Sequence, residues 1–69
     1  MMETVERVGE TAGQVWHLLN DSGPMTVAQL KRKINGSGEL VGFALGWLAR
    51  EDKIAIAQDK KNFKVTLKQ

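Results

Sequence analysis

The sequence predicts an α+β domain built from three helices, a short strand after the first helix, and a C-terminal β-hairpin. Three observations carry this. Apolar residues recur at spacings of three and four as far as Glu51, the mark of helices with one buried face. From Lys53 onward the period falls to two, as a half-buried strand requires. Two turn clusters, NDSGP at 20–24 and NGSG at 35–38, cut the helical part into three.

In the first helix, expected over 5–20, Val5, Val8, Ala12, Val15, Trp16 and Leu19 share a face. Gly9 and Gly13 each weaken it by about 1 kcal/mol relative to Ala. Thr11 and Gln14 offer a capping box for a later start, so the first turns could fray. Met25 leaves room for a residue or two of strand, and that strand could join the hairpin, since a lone hairpin is marginal in water. Thr26 and Gln29 repeat the capping-box spacing. The helix they begin, 27–34, buries Val27, Leu30 and Ile34 and turns Lys31, Arg32 and Lys33 to water.

Ser37 is a good N-cap for the third helix, 38–51, with Glu39 favourable in its first turn. Val41, Ala44, Leu45 and Leu48 form its buried stripe. The hairpin is expected over 53–58 and 62–68 with a four-residue charged tip, DKKN. Ile54, Ile56, Phe63, Val65 and Leu67 face one side of it, and Lys64, Thr66 and Lys68 the other. Val8, Ala12, Val15, Leu19, Leu30, Ile34, Val41, Leu45, Leu48, Ile54 and Val65 are the expected core.

All this fits in one domain, residues 1–69, which buries roughly 60% of its unfolded surface. The 42% hydrophobic and 26% charged content is that of a soluble globular chain, not a disordered one. Without cysteine there is neither a disulfide framework nor a thiolate metal site. No apolar run approaches the roughly 18 residues of a membrane span, and Glu3 and Glu6 stand where a signal peptide would be basic, so a cytoplasmic protein is expected. The net charge of +2 is unevenly spread. Residues 1–22 carry one basic against four acidic groups (−3), and residues 23–69 nine against four (+5). That imbalance suggests a basic side facing an anionic partner.

Catalysis finds no footing. His17, the sole histidine, lies opposite the Val15–Leu19 face with no serine or cysteine to activate. Ser22 and Ser37 read as turn and cap residues, and Glu51 and Asp52 diverge at a helix end. GSG lacks the lysine and hydroxyl of a phosphate loop. No enzyme, cofactor, metal or small-molecule substrate is expected.

Helix, short strand, helix, tight turn, helix, hairpin is the winged helix-turn-helix order, and the chain resembles that superfamily over nearly its whole length. The runs AGQVW (12–16) and ALGWLAREDKI (44–54) are similar to a small bacterial family of winged-helix domains with no assigned function. The superfamily resemblance implies a transcription-related DNA-binding role, the third helix in the major groove and the wing on the backbone or minor groove. Winged helices also serve as dimerisation and protein-docking modules. On the superfamily's third-helix pattern, Ser37, Val41, Ala44, Leu45 and Leu48 match cap and core positions. The base-reading positions fall on Leu40, Gly42, Phe43, Gly46 and Trp47.

Base edges are read by paired donors and acceptors such as Arg, Lys, Asn or Gln, and none stands there. Weak, sequence-indifferent contact of Lys31, Arg32, Lys33, Lys60 and Lys61 with phosphates needs only charge. The other expectation is a protein partner or a homodimer on the Phe43, Trp47 and Leu40 side. At 100° per residue that flank lies roughly 110–150° from the centre of the core stripe. The wing or the first helix could still fold over Trp47 and make it satellite core.

Overall fold

The ends of the helices explain where the chain turns. The computed structural model describes residues 4–34 and 38–68. The first helix, α1, spans Thr4–Ser22 and stops at Gly23, whose φ of 81° costs a glycine nothing. The Gly23 N–H donates to the Leu19 carbonyl at 2.9 Å, closing the last turn, and Pro24 cannot extend it. After strand β1, Met25–Thr26, helix α2 covers Val27–Lys33. Its start is the expected capping box. Thr26 Oγ1 accepts the Gln29 N–H at 3.1 Å, while the Thr26 N–H donates to Gln29 Oε1 at 2.9 Å.

Helix α3 runs Gly38–Arg50. The predicted cap, Ser37, lies outside the described residues. At the other end the Asp52 N–H donates to the Ala49 carbonyl and the Lys53 N–H to the Leu48 carbonyl, both at 3.0 Å. This is a Schellman closure, with Asp52 in the left-handed region at φ 61°.

Strands β2, Ile54–Asp59, and β3, Asn62–Leu67, follow directly. The sheet is antiparallel in the order β1-β3-β2, so the short strand at Met25 joins the hairpin as anticipated. Met25 stands opposite Val65, and β2 pairs with β3 from Ile54 opposite Leu67 to Asp59 opposite Asn62. Because pairing continues to Asp59 and Asn62, the tip is a two-residue loop, Lys60-Lys61, and not four residues. A two-residue hairpin loop asks for positive φ at its first residue, and Lys60 sits at 58°.

Every element feeds the core. Ala12, Val15 and Leu19 from α1 meet Leu30 of α2 and Ile34 beside it, and Val41, Ala44, Leu45 and Leu48 from α3. Met25, Ile54 and Val65 supply the sheet side. Several expectations need correction. Val8 and Val27 pack on the margin, half-buried, and Val5 is exposed because the first turn of α1 reaches past its neighbours. Trp16, 38% exposed, sits at the edge of its helical stripe and not within it. Ile56 and Phe63 face the core side but are 40% and 47% exposed, so the helical layer does not cover the outer half of the wing. Thr11 is buried inside one continuous α1, which removes the later start.

Candidate functional site

Packing α3 by its Val41–Leu48 stripe leaves the opposite side of the helix in solvent. Phe43 is 57% exposed and Trp47 49%, so neither ring is absorbed by the wing or by α1. Leu40 beside them is half-buried. A Cβ added at Gly42 or Gly46 would meet nothing within 4 Å, so these glycines lie bare on the same outer surface. From Gly42 to Trp47 there is no side chain able to donate a hydrogen bond to a base edge except the Trp47 indole N–H.

Trp47 does not stand alone. It lines an open groove of about 310 Å³ between α1 and α3, together with Trp16, His17, Leu48 and Lys53, over a floor of Gly9, Ala12 and Gly13. Trp16 and His17 meet edge to face, ring centroids 5.4 Å apart at 88°. The spacing sets Trp16 on the apolar face of α1 without marking it as a surface residue. The available signal was its neighbours: Gly9 and Gly13, at four-residue spacing, leave the adjoining strip of α1 without side chains to cover the indole.

The five basic candidates are all exposed. Lys31 lies along the start of α3, its Cδ 3.5 Å from where a Gly38 Cβ would be. Lys33 turns instead toward α1, lining a second shallow groove with Gln14, His17, Leu18 and Ile34. Lys60 and Lys61 form the wing tip. Of the acidic pair after α3, Asp52 is engaged by Lys68 in an exposed ion pair between Oδ1 and Nζ. Among the described residues no group of three or more His, Cys, Asp or Glu side chains could hold a metal ion. No helix among them is long and apolar enough to cross a membrane.

Three helices on a three-stranded antiparallel sheet, with α2 ending at Lys33, α3 beginning at Gly38 and β2–β3 as the wing, define a winged helix-turn-helix domain. The chain belongs to the family of that description, winged helix-turn-helix domain (DUF2582), whose sequence model matches residues 1–67. It is 40% identical over 65 residues to the uncharacterised protein MJ1608 of Methanocaldococcus jannaschii, covering 90% of this chain and 91% of that protein. It is also similar to the solution NMR structure of protein BT2368 from Bacteroides thetaiotaomicron. There the TM-score is 0.79 at 39% identity, over 90% of this chain and 76% of that one.

Proposed function

We propose that this winged helix is a non-enzymatic binding module that does not read DNA sequence and docks protein through the outer side of α3. Any contact with nucleic acid is weak attraction of the phosphate backbone by Lys31, Arg32, Lys33, Lys60 and Lys61. One observation carries the reading: Phe43 and Trp47 stand exposed on the helix where base-reading side chains belong. Exposed aromatic pairs beside bare backbone are the anchors of protein contacts, because a rigid ring buries much area at little entropic cost. Glycine and phenylalanine offer bases no paired donors or acceptors. A cytoplasmic, transcription-related setting is part of the same proposal and rests on the winged-helix class.

An amide-shift titration with a random-sequence duplex at low and moderate salt tests the nucleic-acid half. We expect shifts at the wing tip and α2, affinity in the range of about 10⁻⁴ to 10⁻⁶ M, and loss of binding as salt rises. Replacing Lys60 and Lys61 by Glu should abolish it. Sequence-dependent binding with shifts across Gly42–Trp47 would overturn the proposal. For the docking half, co-purified partners are compared between wild type and Phe43→Ser, and their loss in the variant is the expected result.

A further inference from the structure

The strand β2 ends the sheet, with only β3 hydrogen-bonded to it among the described residues. Exposed edges attract other strands, and proteins blunt them with charges, proline, bulges or brevity. The opposite edge, β1, is two residues long and leads at once into α2. The β2 edge carries charge only at its ends, Lys53 and Asp59. Its sequence from Ile54 to Gln58 is Ile-Ala-Ile-Ala-Gln, uncharged and without proline, and its register with β3 is unbroken over six successive pairs.

The hydrogen-bond phase of that edge follows from one bond. The Lys68 N–H donates to the Lys53 carbonyl at 2.9 Å, so residues 53, 55, 57 and 59 turn their polar groups toward β3. Ile54, Ile56 and Gln58 therefore turn N–H and C=O outward. An antiparallel partner must oppose these three with residues of the same phase, which limits the registers to steps of two.

We propose that the chain forms a two-fold dimer by antiparallel pairing of β2 with β2 of a second copy, Ile56 opposite the partner's Ile56. In this register Ile54 meets the partner's Gln58 and Ala55 the partner's Ala57. Lys53 falls opposite the partner's Asp59, a contact made twice by symmetry. Stepping two residues one way sets Asp59 against the partner's Ala55, and the other way sets Lys53 against the partner's Ala57. Opposite charges directly opposed stabilise a strand pair, so charge complementarity selects the central register. The same pairing supplies the apolar cover that Ile56 lacks, on the face it shares with the exposed Phe63. Ala55 and Ala57 on the other face leave the approach unobstructed. This surface is separate from the Phe43 and Trp47 side of α3.

The seam is small, so association is sought by sedimentation equilibrium up to about 1 mM chain. Wild type should move from 7.7 kDa toward twice that mass as concentration rises, and Phe43→Ser should do the same. Ile56→Pro removes the seam's central side chain and an outward-facing N–H but no bond to β3, and should stay monomeric while keeping the α2 and α3 amide spectrum. In unaltered protein, exchange of the Ile54, Ile56 and Gln58 amides should slow with concentration, which needs no variant to fold. Lys53→Asp and Asp59→Lys should each weaken the dimer at least several-fold, and the double swap should restore it. A monomer at every concentration would overturn the proposal. So would a dimer kept by Ile56→Pro but lost in Phe43→Ser, or a double swap that restores nothing.

Discussion

Asp52 shows how a single backbone position sets the junction between α3 and the wing. The two bonds that close α3 require this residue in the left-handed region, and an L side chain there costs about 1–2 kcal/mol unless it is glycine, asparagine or aspartate. Its ion pair with Lys68 is well exposed at both ends, so solvent screens it and it contributes about 0–1 kcal/mol. Aspartate bears only part of that cost, so the small backbone relief on changing it to glycine offsets loss of the pair. We expect Asp52→Gly to match or exceed wild type in urea-midpoint stability, and Asp52→Val to lose about 1–2 kcal/mol. An Asp52→Gly protein weaker than wild type by as much would show that the Lys68 contact dominates. The residue was not legible in the sequence, because this closure is usually announced by glycine and here the chain reads Glu-Asp-Lys.

At the scale of elements, periodicity and caps conveyed most of what the structure contains. The Thr26–Gln29 box and the Gly23 stop are local chemistry, and local chemistry can be read from neighbouring residues. We expect Thr26→Ala to cost about 1 kcal/mol by leaving an amide of α2 without its acceptor, measured from the denaturation midpoint. What periodicity does not convey is how far one layer extends over another. Alternation places Ile56 and Phe63 on the core face of the wing correctly, but nothing in it says that the helices stop short of them. Trp16 is a second case: it shares the apolar face of α1, but nothing in the spacing says that its neighbours leave it 38% exposed. The bare side of α3 was legible, since Gly42, Phe43, Gly46 and Trp47 fall outside the stripe that Val41 to Leu48 define. Gly42→Ala and Gly46→Ala meet no atom within 4 Å, so each should stabilise the isolated domain by up to about 1 kcal/mol. If the glycines serve close approach by a partner, the same changes should weaken docking while thermal stability rises.

For the whole molecule, small size forces a division of labour between the two sides of α3. Total stability for 69 residues is on the order of 3–10 kcal/mol. The twelve buried hydrophobic residues among those described come from every element, so the domain should unfold in one step, without a separable wing. Leu30 is fully buried at the centre of this cluster, and its truncation to alanine should cost about 2–5 kcal/mol. Leu45→Ala, on the inner side of α3, belongs in the same range. Either loss is comparable to the whole stability, so urea titrations of these variants should begin with a measurable unfolded fraction in buffer. Phe43→Ser and Trp47→Ser remove larger side chains from the same domain yet vacate no core space. Phe43→Ser should stay within about 0.5 kcal/mol of wild type, as surface changes do, and Trp47→Ser should lose somewhat more because Leu48 and Trp16 share its groove. The comparison is decisive because one helix supplies both sets of variants. If Phe43→Ser unfolds the domain as Leu45→Ala does, the outer side of α3 is structural and the exposed aromatic pair is no docking anchor. If it leaves the urea curve unchanged while partner capture disappears, stability resides on one side of the helix and binding on the other.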